Sequence, residues 1–326
     1  MTAPSRGARW RGTPRAGGAR LPPALVRPGI RQLRRRALDP RLGWEVQRQR
    51  LDRVMRALPV PRGTTVAVRV RNGVRTEEVL AAQPARDGAA AGPARPGGTI
   101  LHFHGGGYCV GSARMCRTWA AHLSARTACR VVLPEYRLAP PHAHPAALDD
   151  ARAVLSALLS ETPPGPVVVS GDSAGGGLAL SLALGLRDAG DPLPAGCILI
   201  SPWLDLRRDR WAAPGLVYRE LLLSPPWLEA CAVAYADPSK WADPSVSPLH
   251  ARHGGLPPLL IQAASDDLLA PDAEALAASA SAAGVDVTYT RWPRMWHDFA
   301  LLPGLLSAAD SAVAQAAWFI TTVTAR

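Results

Sequence analysis

Short apolar runs rich in β-branched residues alternate with segments of helical periodicity along most of this chain. Thr99–Phe103, Arg130–Leu133, Val167–Ser170, Gly196–Ile200, Leu259–Ala263 and Val285–Arg291 have the length and composition of strands. Between the second and third runs, Leu148, Ala151, Leu155 and Leu158 recur at helical spacing, behind a Pro145 suited to a helix start. Near-continuous apolar strands separated by helices predict an α/β architecture, with a mostly parallel central sheet covered by helices on both faces. Upstream, Val66–Val70 and Thr76–Ala82 are parted by Asn72-Gly73, which predicts an antiparallel hairpin at the start of the sheet. The 326 residues, 48% of them hydrophobic, suffice for one large core or two domains. Residues 1–60 precede the alternation. Residues 205–250 interrupt it with a stretch rich in Trp, Pro and Leu.

The third run leads into the sharpest chemical signal. Val167 to Ser170 feeds Gly171-Asp172-Ser173-Ala174-Gly175, and an apolar helical segment from Gly176 to Leu186 follows. Strand, Gly-x-Ser-x-Gly turn and helix in that order form the context of a nucleophile elbow, which lifts a serine hydroxyl above a sheet. The first run leads into His104-Gly105-Gly106-Gly107-Tyr108. Successive glycines after a strand leave backbone N–H groups free to approach an oxyanion. Gly105, Gly106 and Ala174 are the expected donors.

A serine nucleophile needs a base, and the base needs an orienting acid. Only His250, His253 and His297 follow Ser173. The first two lie in a polar loop. His297 lies in the loop after the last strand, where an imidazole can overhang the serine. Three carboxylates follow the Leu259–Ala263 strand, namely Asp266, Asp267 and Asp272. Asp272 also fits the first turn of the Ala-rich helix behind it. The adjacent Asp266 and Asp267 cannot both face the imidazole.

With these residues in hand, residues 65 to 300 resemble the hormone-sensitive-lipase-like family of α/β-hydrolases. His104 to Gly107 is similar to that family's oxyanion motif, and Gly171 to Gly176 to its GDSAGG elbow. Tyr136 to Pro140 (YRLAP), Pro145 to Asp150 (PAALDD), Ser201 to Leu206 (SPWLDL) and Met295-Trp296-His297 also have counterparts there, in the same order. The chain departs from the pattern at Pro141, His144 and Gly177, none of them in the triad. The resemblance implies a Ser173–His297–Asp266 triad, because the family's acid directly follows the pair after that strand. It also implies a helical cap over the serine. The expected layout is a disordered arginine-rich tail at 1–36, cap residues at 37–60 and 205–250, and a catalytic domain at 61–204 and 251–326. Water-excluding walls need aromatic and apolar residues. Tyr108 and Trp203 are the expected substrate contacts, with Trp211, Trp227, Tyr235 and Trp241 as further wall candidates.

The implied activity is hydrolysis of short to medium acyl esters through an acyl-enzyme. Lactone hydrolysis and deacetylation of a secondary metabolite would use the same site. A non-catalytic small-molecule binder is the alternative from another class, and an intact triad argues against it. Charge adds one feature. Residues 1–75 hold 19 arginines against three acidic residues, whereas residues 76–326 hold 18 basic and 23 acidic groups. The arginine-rich start comes with no nucleic-acid-binding fold, so no specific nucleic acid is expected. No apolar stretch is long enough to span a membrane, and none follows the N-terminal arginines as a signal peptide would require. The five scattered cysteines read as free thiols in a reducing cytoplasm. His102-x-His104 and His142-x-His144 have ligand-like spacing. The glycine run and the Ser-His-Asp set account for His104 without a metal, so neither metal nor cofactor is expected. The expected partner is a small-molecule ester, and a homodimer is compatible with the reading.

Overall fold

Eight strands form one sheet in the order β1-β2-β4-β3-β5-β6-β7-β8. They are β1 (Thr65–Arg71), β2 (Val74–Leu80), β3 (Thr99–Phe103), β4 (Arg130–Pro134), β5 (Val167–Asp172), β6 (Gly196–Ile200), β7 (Leu259–Ala264) and β8 (Val287–Trp292). All eight expected runs are strands, with ends within two residues of expectation. The computed structural model describes residues 20–82, 97–161, 165–211 and 214–325.

β1 and β2 form the expected hairpin, and β2 also pairs antiparallel with β4. The hairpin turns on Asn72 and Gly73, both at positive φ (44° and 86°), the backbone of a two-residue turn matched to strand twist. From β4 onward every pairing is parallel. The central strands β3, β5, β6 and β7 are buried along their whole length, which is why they read as unbroken apolar runs.

Crossovers between the parallel strands place the helices on both faces of the sheet. α3 (Arg117–Thr127) packs on one face beside the C-terminal α10 (Ser307–Thr324). α4 (Ala146–Leu159), α5 (Ala174–Ala189) and α9 (Ala270–Ala282) cover the other. Among the described residues no helix is long and apolar enough to cross a membrane. All five cysteines are free and buried.

The remaining helices lie over the C-terminal ends of the parallel strands. They are α1 (Pro23–Ala37), α2 (Trp44–Met55), α6 (Arg208–Trp211), α7 (Pro214–Val217) and α8 (Pro225–Tyr235). α1 corrects the expectation of disorder through residue 36. Its arginines mask a stripe of Val26, Ile30, Leu33 and Ala37 at helical spacing, and this stripe packs against the core. Leu21 N donates to Leu305 O at 2.9 Å, and Arg20 pairs with buried Asp310. Arg34 Nη1 reaches the carbonyls of Glu220 and Leu223, both at 3.4 Å, tying α1 to the second cap segment. Residues 1–19 of the expected tail lie outside the described residues.

Candidate active site

Ser173 sits where β5 ends and α5 begins, at φ 53° and ψ −122°. Such a backbone strains a residue with a Cβ and persists only where the surroundings enforce it. Enforcement comes from close packing on both sides. A Cβ on Gly171 would lie 2.1 Å from the Gly175 carbonyl oxygen, and one on Gly175 would lie 2.0 Å from that of Phe103. Ser173 N donates to Ile200 O at 2.9 Å, which leaves the side chain directed toward the cap.

His297 enters from the loop after β8. Its Nδ1 lies 3.0 Å from both carboxylate oxygens of Asp267. Asp267 is fully buried, and its Oδ1 also accepts from Leu269 N at 2.8 Å. The structure therefore corrects the expected acid from Asp266 to its neighbour. The two residues occupy a tight turn after β7 and point in opposite directions. Asp266 faces the cap, with Oδ2 3.4 Å from Arg27 Nη2 and Oδ1 3.9 Å from Arg219 Nη1.

Ser173, His297 and Gly106 line one cavity of about 70 Å³. Ile30 and Leu33 of α1, Leu51 and Met55 of α2, and Leu222, Leu223 and Trp227 of the second cap segment supply much of its wall. On the far side of the imidazole, Nε2 lies 3.1 Å from Asp298 Oδ2. His297 N–H donates to Glu220 Oε2 at 3.3 Å. Two carboxylates thus flank the imidazole, and a third holds the backbone of the same residue. Burial would lower the His297 pKa, but Asp267 and Asp298 outweigh it and hold the imidazole well above its usual range. Burial pushes the Asp298 and Glu220 carboxyls up to about 7.

A family model for the alpha/beta hydrolase fold matches residues 100–301. The chain belongs to that family. An acetyl-hydrolase from Streptomyces hygroscopicus is 40% identical over 234 residues, 71% of this chain and 78% of that protein. An esterase from Acinetobacter venetianus is 34% identical over 277 residues, 84% of this chain and 87% of that one. Among solved structures, an esterase from the bacterial hormone-sensitive lipase family superposes with a TM-score of 0.82 at 30% identity, covering 90% of this chain and 97% of that one. A hormone-sensitive lipase from a metagenome library gives 0.83 at 29% identity, covering 94% and 100%. The protein is a carboxylesterase-type hydrolase of the hormone-sensitive-lipase group.

In this hydrolase the glycine loop is held by the residue before the nucleophile. Asp172 Oδ2 accepts the Gly105 N–H at 2.9 Å, and Asp172 Oδ1 lies 3.0 Å from His102 Nε2. Gly105 is therefore no oxyanion donor, a second correction, because its N–H is already committed. The N–H groups of Gly106, Gly107 and Ala174 have no protein acceptor among the described residues. The expected contacts Tyr108 and Trp203 are corrected as well. Tyr108 stacks on Tyr235 with ring centroids 3.7 Å apart, and Trp203 is fully buried with Nε1 donating to Asp205 O at 2.9 Å. Both brace the floor beneath the cap rather than line the cavity. Of the further aromatic candidates, Trp227 does line it, its Nε1 donating to Gln47 Oε1 at 2.9 Å.

His102, Cys116 and Asp172 bring three metal-ligand atoms within 4.8 Å of one another. These atoms are spoken for. His102 Nδ1 pairs with Ser170 Oγ at 2.7 Å, and burial holds the Cys116 thiol well above its usual pKa. Hydrogen-bonded to one another and to Ser170, the three side chains form a polar floor beneath the elbow.

Proposed function

We propose that this hydrolase cleaves esters of short acyl groups through Ser173, His297 and Asp267. The observation that carries the reading is the shared apolar cavity, onto which the elbow serine, the carboxylate-backed imidazole and the Gly106 loop all open. His297 Nε2 takes the Ser173 proton as Oγ attacks the ester carbonyl carbon. Asp267 keeps the proton on Nδ1 and stabilises the imidazolium that forms. The N–H groups of Gly106, Gly107 and Ala174 receive the oxyanion, and each such donor typically contributes about 100–1000-fold in rate. The carbonyl re-forms, the C–O bond to the alcohol breaks, and the imidazolium protonates the departing alkoxide. Water then loses a proton to His297, attacks the acyl-enzyme, and releases the acid with Ser173 restored.

Small volume and apolar walls favour short acyl chains without charged groups. The 40% identity to an acetyl-hydrolase favours acetyl esters within that class. Hydrolysis of a p-nitrophenyl ester series from acetyl to dodecanoyl tests the reading, with Ser173→Ala in parallel. Serine-dependent turnover that peaks at acetyl to butyryl is expected. Turnover that survives Ser173→Ala would overturn the nucleophile, and a maximum at long chains would overturn the pocket.

A further inference from the structure

His297 has a second carboxylate partner, and it sits on the wrong nitrogen for catalysis. The proton from Ser173 must arrive at Nε2, yet Nε2 lies 3.1 Å from Asp298 Oδ2. Among the described residues no hydrogen bond joins Ser173 Oγ to the imidazole. The contact follows from backbone geometry. Asp298 is held at φ 55°, so the chain folds back and returns its carboxylate to the ring of the preceding residue. Asp298 N–H is 3.4 Å from Ser201 Oγ, itself on a residue at φ 43°. Aspartate tolerates this left-handed backbone better than most residues but still at a cost, and such strain concentrates where function uses it.

The remaining contacts of Asp298 argue against a purely structural role. Its side chain is only 12% exposed and lines the substrate cavity. Oδ1 is buried with no partner among the described residues. A carboxylate retained for stability has its oxygens satisfied, as those of Asp267 and Asp172 are. Asp298 instead directs its one side-chain contact at the catalytic nitrogen.

We propose that Asp298 is a positioning residue that clamps His297 by Nε2 and sets the pH above which the imidazole can serve as the base. The proposal rests on the triad reading above. An imidazole that keeps both ring protons donates from Nδ1 to Asp267 and pairs through Nε2 with Asp298 once that carboxyl, itself pushed up to about 7, is ionised. Loss of one proton at higher pH weakens the Asp298 contact and frees Nε2 to turn to Ser173 Oγ. The other groups facing this pair are Glu220 from the cap, Asp172 at the end of β5, and the protonated Cys116. Arg27 stands above the neighbouring Trp296 ring at 5.7 Å. Glu220 acts on the His297 backbone and Asp172 on the glycine loop, so Asp298 is the carboxylate whose removal acts directly on Nε2.

The test is the pH profile of kcat/KM for p-nitrophenyl acetate in the wild type, Asp298→Asn and Asp298→Ala. It is paired with NMR titration of the His297 ring in Ser173→Ala and in Ser173→Ala/Asp298→Asn. The wild-type acid limb is expected above the ordinary imidazole range near 6.5. Both Asp298 variants should move it down by about one unit, so that rate on the limb rises about tenfold. The ring titration should move by the same amount, and it reads the effect even in a variant that turns over poorly. Coincident limbs and coincident ring titrations would overturn the proposal. Activity that persists in Ser173→Ala would instead overturn the triad reading, and the NMR comparison would still test the Asp298 contact by itself.

Discussion

Replacing each of two adjacent aspartates tests the site more sharply than deleting the nucleophile. Asp267→Asn preserves shape but presents an amide to His297 Nδ1, where two carboxylate oxygens now lie at 3.0 Å. An amide N–H cannot accept the Nδ1 proton. If the amide oxygen turns to the ring, the proton is still held more weakly and the imidazolium loses its counter-charge. The neutral ring then favours the tautomer with hydrogen on Nε2, which cannot take the Ser173 proton. A loss of about 10⁴-fold in kcat is expected by analogy with other serine triads, or about 5.4 kcal/mol of transition-state stabilisation. Asp266→Asn removes ion pairs at 3.4 and 3.9 Å to Arg27 and Arg219, whose side chains are 27% and 57% exposed. Pairs this exposed contribute about 0–1 kcal/mol, and they touch no reacting atom. Its kcat/KM should stay within about threefold of wild type, with a small fall in Tm from a looser α1. Steady-state kinetics on p-nitrophenyl acetate, measured above the acid limb and alongside thermal melts, separates the two. Equal losses in both variants, or a larger loss in Asp266→Asn, would refute the assignment of Asp267.

Two further outcomes follow from the same geometry. Leu222→Trp places an indole on the wall of a 70 Å³ cavity and should cut the butyrate-to-acetate ratio of kcat/KM by about tenfold, read from the ester series. Asp172→Asn weakens the hold on Gly105 N–H and on His102 Nε2, and should lower kcat by about 10–100-fold, mainly through a less ordered oxyanion loop. Kinetics with an acetyl ester at saturating concentration would show this as a kcat loss with little change in KM.

The sheet was legible because each buried parallel strand writes a compact apolar run and each turn beside it carries glycine or proline. Ser173, His297 and the glycine loop were legible for the same reason, since each lies at the end of a strand that could be seen. The carboxylate that contacts His297 was legible only to within one residue. Direction in a tight turn changes by a large angle per residue, and no periodicity records it, so Asp266 and Asp267 are equivalent as letters. Gly105 failed for a related reason. A glycine motif marks where backbone donors lie, but which N–H is free depends on an acceptor 67 residues away, Asp172 Oδ2. Tyr108 and Trp203 were misplaced because aromatic side chains beside a site brace its floor as often as they line it.

The cap was the least legible part, and its physics explains why. α1 carries three arginines in its last turn and looks too polar to fold. Its stability does not come from itself. Ile30 and Leu33 pack against the core and share a cavity wall with Leu51, Met55, Leu222 and Trp296, residues drawn from α2, the second cap segment and the loop carrying His297. Those partners are distant in sequence, so a local reading of hydropathy undercounts what the helix can bury. The same dependence ties cap to chemistry. Glu220 accepts from Leu222 N at 2.6 Å and Leu223 N at 3.2 Å, fixing two cavity walls, and its other oxygen accepts from His297 N. A single buried carboxyl group thus joins the walls of the cavity to the loop that carries His297. A cap segment displaced from its seat would leave His297 N–H without that acceptor, so the apolar contacts that exclude water also hold the imidazole loop in register with Ser173.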